Sequence, residues 1–236
     1  MRTLIIGDIH GCSVPLRALL KRLKPDPEAD YLVLLGDLFD RGPDSWGVLQ
    51  IVKKLAQDFG DRFVLLRGNH EDYLLQKKLS FSERRVWERV GRGTSVRSFK
   101  DHGEKIEDCA GWIRAQSVLY YKSEGPFFFQ CVHAGLRVDP PEANDIWTLV
   151  HDHGVVLENV YRGPLTVTGH IGLEKPCYFA GDEETVLELE EEKWLSLPRE
   201  GVICIDAGCG KGGRLIGMVI EDDRFILYGE PEEQTV

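Results

Sequence analysis

Three short apolar runs, each followed at once by a polar turn that contains glycine, constrain this chain more than any other feature. The runs cover residues 3–6, 31–35 and 63–66, and the turns are GDIHG (7–11), GDLFDRG (36–42) and RGNHE (67–71). Apolar runs of this length are typical of buried strands, and glycine lets the backbone turn sharply and approach a ligand. One such loop alone is also explained as a strand-to-helix connection rich in turn-forming residues.

Helical patterns follow the three turns. Ser13 is the expected cap of a first helix with leucines at positions 16, 19, 20 and 23, which Pro25 and Pro27 end. A second helix follows GDLFDRG, and a third is expected to begin near Asp72. Three such units predict parallel strands with right-handed crossovers, so the polar turns should meet at one sheet edge, where α/β proteins bind ligands.

Residues 82–115 form a polar helical stretch, which we interpret as an insertion. Its expected buried positions are Val86, Trp87, Val90, Ile106 and Trp112. Between residues 82 and 100, the bases Arg84, Arg85, Arg89, Arg92, Arg97 and Lys100 outnumber the acids Glu83 and Glu88. This excess indicates either a solvated helix face, the commoner meaning of a charge run, or a surface that steers an anionic substrate.

The rest of the chain is predicted to be mostly β. Strand-like runs cover residues 118–121, 127–132, 165–168, 202–205, 215–220 and 225–228. Two of them end in short motifs, HAG (133–135) and GH (169–170). The acidic stretch 182–192 fits either an edge hairpin or a short helix. GCGKGG (208–213) lacks the Ser or Thr of a Walker loop and is predicted to be a turn.

Charge and composition narrow the function classes. The formal net charge of −10 argues against binding along a nucleic-acid backbone, which requires an excess of Lys and Arg. No apolar run approaches the length of a bilayer span, and the first residues lack the pattern of a secretory signal. We therefore expect a cytoplasmic protein with no membrane partner. The six cysteines show no CxxC or zinc-ligand spacing, which favours reduced thiols.

The ends of five predicted strands supply carboxylate, carboxamide and imidazole groups without any thiolate. These residues are Asp8, His10, Asp37, Asn69, His70, His133 and His170. Such groups suit manganese, iron or zinc, and seven of them exceed what one ion needs. We therefore expect two ions that activate a shared water and hold a phosphoryl group. Considered singly, His133 or His170 would be interpreted as a polar core residue.

Together these motifs resemble those of the calcineurin-like metallophosphoesterases, and within them the phosphoprotein phosphatase branch that includes bacterial and bacteriophage Ser/Thr phosphatases. The resemblance rests on GDIHG, GDLFDRG, RGNHE, HAG and GH, in the family's order, between residues 7 and 170. The segment IDAGCGKGGRL (205–215) is similar to the family's closing segment. The resemblance implies an α/β fold, a two-sheet α/β/β/α sandwich with the helical insertion 82–115, in a single catalytic domain over residues 1–236.

The resemblance also implies roles for individual residues. Two divalent metal ions, Mn²⁺ with Fe or Zn as alternatives, would be bound as follows: Asp8 and His10 hold the first, Asp37 bridges both, and Asn69, His133 and His170 hold the second. A hydroxide bridging the metals would attack phosphorus. His70 would protonate the leaving oxygen, Asp40 would orient His70, and Arg41 and Arg67 would bind the non-reacting phosphate oxygens. From the residues alone, Asp40 could instead cap a turn or helix, and Arg67 could pair with Glu71.

One departure from the resembled family concerns phosphate binding. Many relatives have Trp-x-Arg between HAG and GH, whereas this chain has Trp147, Thr148 and Leu149. Arg162 or the basic insertion could replace the missing arginine. His151 and His153 are expected to be ordinary loop residues.

The leading hypothesis is a Ser/Thr protein phosphatase-like phosphomonoesterase that acts on a phosphorylated protein or a small phosphate ester. One alternative is a bis(5'-nucleosyl)-tetraphosphatase, because similar proteins that cleave dinucleoside polyphosphates use the same motifs. Another is a non-catalytic interaction module of the same fold. The presence of every expected metal position and of His70 argues against the module.

Overall fold

The computed structural model describes residues 2–232 and places the strands in two sheets. The seven-stranded sheet has the order β10 (Leu195–Ser196), β13 (Arg224–Pro231), β12 (Arg214–Glu221), β1 (Arg2–Ile6), β2 (Tyr31–Leu34), β3 (Phe63–Leu66) and β4 (Ser117–Val118). The six-stranded sheet has the order β5 (Tyr120–Lys122), β6 (Gln130–Val132), β7 (Thr166–Thr168), β11 (Val202–Cys204), β8 (Cys177–Phe179) and β9 (Val186–Glu188). The predicted two-sheet α/β fold is confirmed. Residue 1 and residues 233–236 of the predicted domain lie outside the described residues.

Each sheet contains a block of parallel strands. In the first sheet β1, β2, β3 and β4 pair in parallel, and in the second β6, β7 and β11 do so. The remaining pairs are antiparallel, and β1 joins β12 with Ile6 opposite Gly217. The parallel blocks carry all the strand ends that the sequence analysis singled out.

The helices are distributed around the two sheets. They are α1 (Ser13–Leu23), α2 (Ser45–Phe59), α3 (Asn69–Leu75), α4 (Phe81–Arg89), α5 (Arg92–Asp101), α6 (Ala110–Gln116), α7 (Ile146–His151) and α8 (Gly154–Leu157). Helices α4, α5 and α6 lie between β3 and β4, which agrees with the predicted helical stretch, and this segment is called the helical insertion. Among residues 2–232, none of the helices has the length and apolar character needed to cross a bilayer.

Alternating side chains along the parallel strands build separate layers of core. In β1, Leu4 and Ile6 pack in the cluster that contains helices α1 and α2, whereas Ile5 packs in the cluster between the sheets with Val167 and Ile203. A third cluster packs the outer face of the second sheet against α7 and α8. Successive side chains of a strand point to opposite faces, so a fully apolar strand is buried on both sides. This explains why the runs are continuously apolar.

Several local predictions differ from the structure. Helix α1 begins at Ser13, and the Ser13 hydroxyl donates to Asp44 Oδ2 instead of capping its own helix. Helix α3 begins at Asn69, earlier than expected. Val86 is exposed, whereas Trp87 is buried as predicted. The exposure of Val86 arises because long-range packing, which local sequence does not encode, decides which face of α4 is covered.

The β-rich half also differs in detail. The run 118–121 is divided between two sheets, since β4 pairs with β3 and β5 pairs with β6. The acidic stretch forms the hairpin alternative, because β9 pairs antiparallel with β8 at the edge of the second sheet. Strands β8 and β10 were not predicted. Each is three residues or fewer and offers too little periodicity to recognise.

We expect Gly36→Ala to destabilise the fold strongly. Gly36 has φ +104°, and an added Cβ would lie 2.5 Å from the Gly68 backbone nitrogen in the neighbouring turn. Backbone strain and this clash together should remove about 3 kcal/mol or more of unfolding free energy, measured by urea denaturation. Gly103→Ala is the matched control, because Gly103 also has a positive φ of +74° but no atom within 4 Å of the added Cβ. Equal losses for the two variants would contradict this account of the turn.

Candidate active site

Polar side chains from the ends of both parallel blocks meet in one place. The turn after β1 supplies Asp8 and His10, the turn after β2 supplies Asp37, and the start of α3 supplies Asn69 and His70. The second sheet supplies His133 after β6, His170 after β7 and Asp206 after β11. The structure therefore brings together all six residues predicted as metal ligands, with His70 beside them.

Asp37 lies at the centre of this group. Its Oδ2 lies 3.6 Å from His10 Nε2 and 3.8 Å from His70 Nε2, and its Oδ1 lies 3.6 Å from His133 Nε2. Burial alone would raise the pKa of Asp37. The neighbouring histidines, His70 most strongly, outweigh burial and hold that pKa well below its usual range. Asp37 is therefore an ionised carboxylate shared by both halves of the site.

Asn69 joins the second half of the group. Its Oδ1 lies 3.3 Å from His133 Nε2 and 3.0 Å from His170 Nδ1. The ligand-type atoms of Asp37, His133 and His170 lie within 4.8 Å of one another, as do those of His10, Asp37 and His70. Two overlapping clusters of potential ligand atoms thus share Asp37.

The two ring nitrogens of His10, and those of His133, have distinct roles. His10 Nδ1 lies 3.0 Å from the Phe39 carbonyl oxygen, and His133 Nδ1 lies 2.8 Å from the Leu35 carbonyl oxygen. Because a carbonyl oxygen only accepts, Nδ1 carries the proton in both rings and Nε2 presents a lone pair. Burial lowers the pKa of both rings, which keeps them in the neutral form that binds metal.

Asp8 and Asp206 add two more buried carboxyl groups. Asp8 Oδ1 and Asp206 Oδ2 are buried without a hydrogen-bond partner among the described residues. The other Asp8 oxygen accepts from the His170 backbone N–H at 3.0 Å and lies 3.9 Å from His10 Nε2. Burial raises the pKa of both carboxyl groups, and Asp206 raises that of Asp8 further.

The donor set fits divalent cations. Unpaired carboxylate oxygens buried among neutral imidazoles are costly unless positive charge offsets them. Carboxylate, carboxamide and imidazole groups are the ligands that hard and borderline divalent metals take. The first cluster of ligand-type atoms consists of His10, Asp37 and His70. The first metal site predicted from the sequence has Asp8 in place of His70. Asp8 has a buried oxygen without a partner among the described residues, whereas the His70 ring is held by another carboxylate.

Asp40 holds the His70 ring through its Nδ1 atom. His70 Nδ1 lies 2.6 Å from Asp40 Oδ2, which also accepts from Trp87 Nε1 at 2.7 Å. The other Asp40 oxygen accepts from the Ser95 hydroxyl at 2.7 Å. Burial lowers the pKa of His70, but Asp37 and Asp40 outweigh it, so the net shift is upward. Trp87 and Ser95 belong to α4 and α5, so the helical insertion fixes the carboxylate behind His70.

Glu71 links the second and third turns, a role that the sequence analysis did not predict. Its carboxylate accepts from the backbone N–H groups of Asp37 at 2.7 Å, Leu38 at 2.9 Å and Gly68 at 3.1 Å. Burial and the charge of Asp37 raise its pKa to about 8. Its position next to His70 in RGNHE was the available signal.

The alternatives left open for Asp40 and Arg67 differ from the structure. Asp44, not Asp40, caps helix α2 by accepting from the Gly47 N–H at 2.9 Å. Arg67 lies 3.7 Å from Asp72 Oδ1 and does not pair with Glu71, which is occupied by backbone N–H groups. Its Nε is buried without a partner among the described residues.

The other arginines differ in their surroundings. Arg41 Nη1 lies 2.5 Å from His10 Nε2, which places its guanidinium beside one of the predicted metal ligands. Arg162 Nε donates to the Gly181 carbonyl at 2.7 Å, an internal loop contact. Trp147, the remnant of the Trp-x-Arg pattern, is exposed on α7.

His151 and His153, expected to be ordinary loop residues, contact the site. His153 Nδ1 lies 3.2 Å from His170 Nε2, and their ring centroids are 4.1 Å apart. His151 Nε2 lies 2.9 Å from Asp72 Oδ2. The segment between HAG and GH carries no periodic pattern that reveals these contacts, because they are made across 17 and 79 residues of sequence.

The backbone of the site is strained. Five non-glycine residues have positive φ: His10 at 48°, Asp37 at 48°, Asp40 at 70°, Arg41 at 64° and His170 at 67°. Each such conformation costs on the order of 1–3 kcal/mol, and strain of this kind concentrates at functional sites. The surrounding turns and Glu71 must hold these residues in place.

Comparison with known proteins identifies the family. A family model described as calcineurin-like phosphoesterase matches residues 1–199 of the 236-residue chain. The chain belongs to the calcineurin-like phosphoesterase family. The calcineurin-like phosphoesterase family uses a binuclear centre of divalent metals, and the two ligand clusters of this chain can accommodate such a centre.

Curated relatives of this calcineurin-like phosphoesterase are named bis(5'-nucleosyl)-tetraphosphatase, symmetrical. The protein from Thioalkalivibrio sulfidiphilus is 31% identical over 167 residues, 66% of this chain and 56% of the relative. The protein from Photorhabdus laumondii is 38% identical over 136 residues, 58% of this chain and 45% of the relative. The chain thus spans about half the length of the curated relatives it matches.

Solved structures share the fold. A metallophosphoesterase from Sphaerobacter thermophilus matches with TM-score 0.64 and 19% identity, covering 99% of this chain and 90% of the other. A cold-active protein-tyrosine phosphatase from Shewanella sp. matches with TM-score 0.54 and 18% identity, covering 98% of this chain and 80% of the other. At these identities the likeness supports the two-sheet sandwich and nothing finer.

We expect the wild-type protein to bind about two divalent ions per chain, since two ligand clusters share Asp37. His170→Ala should retain about one ion. Asp37→Asn should bind fewer than one, because it weakens both positions. Elemental analysis by mass spectrometry after dialysis with manganese measures the content. His102→Ala is the control, since His102 is exposed and stacks on Trp46. A full complement of metal in Asp37→Asn would contradict the shared-ligand arrangement.

Proposed function

We propose that this phosphoesterase hydrolyses dinucleoside tetraphosphates symmetrically, with a two-metal centre. Water adds to a central phosphorus, the central P–O–P bridge breaks, and two nucleoside diphosphates result. The observation that carries the proposal is the similarity of 31% and 38% identity to relatives named as symmetrical bis(5'-nucleosyl)-tetraphosphatases. The chain spans about half the length of those relatives.

The metal ligands we propose are those predicted from the sequence. Asp8 and His10 would hold one ion, Asp37 would bridge, and Asn69, His133 and His170 would hold the other. When bound, two divalent cations supply Lewis-acid charge that favours attack by water and balances charge on the phosphoryl group. The neutral, correctly protonated rings of His10 and His133 support these assignments. Manganese is our first choice, with iron or zinc as alternatives.

His70 is the proposed general acid. Burial lowers the pKa of His10, His133 and His170, whereas the net shift of the pKa of His70 is upward. This difference separates a proton donor from three neutral ligands within one site. Asp40 orients the ring through Nδ1, so that Nε2–H of the charged ring can donate to the leaving oxygen.

Arg41 and Arg67 are the proposed phosphate-binding residues. The Arg41 guanidinium contacts His10, one of the proposed metal ligands. Arg67 has a buried Nε without a partner among the described residues. A planar guanidinium can donate two parallel hydrogen bonds to phosphate oxygens. These interactions would strengthen as negative charge develops in the transition state.

A Ser/Thr protein phosphatase-like phosphomonoesterase is the second candidate. The set of five motifs in the order of the phosphoprotein phosphatases favours it. The missing arginine after Trp147 weakens it, since Arg162 is held by a backbone carbonyl. The same metal centre and general acid serve either substrate, so the choice depends on the surroundings of the site.

The products released from different substrates distinguish the two candidates. Metal-loaded protein incubated with diadenosine tetraphosphate should release ADP as the sole nucleotide product, detected by ion-exchange chromatography. The kcat/KM for diadenosine tetraphosphate should exceed that for a phosphoserine peptide by roughly tenfold or more, a difference of about 1.4 kcal/mol. Release of AMP and ATP would overturn symmetrical cleavage. Preference for the phosphopeptide would instead establish the second candidate.

Replacing the proposed general acid should affect poor leaving groups most. His70→Asn should lower kcat on phenyl phosphate by roughly 10²-fold or more. The loss should be smaller on p-nitrophenyl phosphate, whose leaving group needs less help from a proton. Metal content, measured in parallel, should stay unchanged. Equal losses on the two esters would show that His70 acts through something other than proton donation.

A further inference from the structure

A cavity of about 510 Å³ lies beside the candidate active site, between α3 and the helical insertion. Its walls include Tyr73 and Trp87, whose rings are stacked with centroids 6.1 Å apart. Cavities of this size accommodate small organic ligands. None of the proposed steps of phosphoryl hydrolysis uses this space.

The cavity favours an anionic ligand. Its walls carry Lys77, Lys78, Arg84 and Arg92 against the two carboxylates Glu88 and Glu107. Arg92 pairs with both carboxylates, at 2.7 Å and 2.9 Å. Within residues 2–232, the other three cations are in no ion pair, so their charges are available to a ligand. In a protein with a net charge of −10 this is a local reversal of sign.

The cavity adjoins the proposed general acid. The Tyr73 ring lies edge-on to the His70 ring, with centroids 6.4 Å apart. Trp87 donates from Nε1 to the Asp40 oxygen that holds His70. Tyr73 therefore lies beside the ring of the proposed general acid, and Trp87 contacts the carboxylate that orients that ring. A leaving group receives its proton from His70 and so departs next to it.

We propose that this cavity binds the nucleoside diphosphate that leaves during cleavage of a dinucleoside tetraphosphate. Its terminal phosphate departs past Tyr73 and Trp87, the walls next to His70 and Asp40, and Lys77, Lys78 and Arg84 bind the negative charge of the diphosphate. The inference rests on the proposed function, because a phosphoserine side chain would not extend as an anion beyond the scissile phosphate. Binding of the leaving group in this cavity would make α3, α4 and the segment between them determine the class of substrate.

Calorimetric titration of ADP and of inorganic phosphate into the manganese-loaded protein tests the proposal without requiring turnover. Inorganic phosphate fills only the reaction centre, whereas ADP also reaches the cavity. The triple variant Lys77→Gln, Lys78→Gln, Arg84→Gln should weaken ADP binding roughly tenfold or more. Its affinity for phosphate and its kcat/KM for p-nitrophenyl phosphate should stay within about twofold of wild type. Lys77, Lys78 and Arg84 are exposed, so folding should be preserved, and Arg84→Gln alone is the milder substitute.

A matched triple variant separates direct contact from long-range attraction. Arg89→Gln, Arg97→Gln, Lys100→Gln removes the same charge from exposed positions of α4 and α5 that do not line this cavity. It should change ADP affinity by less than about twofold at 0.15 M salt, where separated surface charges are largely screened.

The outcomes are distinguishable from failure of the proposed function. Unchanged ADP affinity in the cavity variant, equal weakening of ADP and phosphate, or equal effects of the two triple variants would each overturn the subsite. Selective loss of ADP binding in a protein that does not hydrolyse diadenosine tetraphosphate would support the subsite and reject the proposed function.

Discussion

The structure depends on one buried carboxylate that two sheets share. Asp37 ends a strand of the first sheet, yet its oxygens face His10 and His70 on one side and His133 from the second sheet on the other. A buried charge of this kind is tolerable only with compensating groups in place. The turn that carries Asp37 is fixed by Glu71, whose carboxylate binds the backbone N–H groups of Asp37, Leu38 and Gly68. Neither sheet alone supplies all the residues of the site, so the candidate metal centre requires both sheets of the sandwich.

The histidines illustrate how the fold assigns chemistry to identical side chains. The carbonyl groups of Phe39 and Leu35 hold protons on Nδ1 of His10 and His133, leaving Nε2 free to ligate. A carboxylate, Asp40, occupies the same place behind His70, and it favours the charged ring. In the proposed roles, the partner of Nδ1 thus decides between a metal ligand and a general acid. These partners lie 29, 98 and 30 residues away from their rings, so the division depends on tertiary structure.

The strand–turn units, the parallel strands of the first sheet and the meeting of five motifs could be predicted from the sequence, because apolar runs and glycine turns are local signals. The parallel pairing of β6, β7 and β11 in the second sheet was not predicted. The same reasoning did not predict the role of Glu71 although it lies in RGNHE, since its backbone N–H partners Asp37 and Leu38 are more than 30 residues away in sequence. It also missed Asp206 at the end of β11, although Asp206 lies in the IDAGCGKGGRL segment. His153 reaches His170 only through the packing of α7 and α8. What escaped prediction is the set of groups that position the site, whose partners are distant in sequence.

Residues of the helical insertion contribute to two different features, and the basic composition of this segment does not indicate which residue belongs to which. Its inner face supplies Trp87 and Ser95 to Asp40, so part of the insertion belongs to the structure behind His70. Arg84 instead lines a cavity with Lys77 and Lys78. A compact phosphate ester would occupy only the metal centre and its two arginines, and would gain nothing from that cavity. A substrate that continues as an anion past His70 would gain directly from it. Selectivity between ester and polyphosphate would therefore reside in α3, α4 and the residues that join them, while the metal centre serves both.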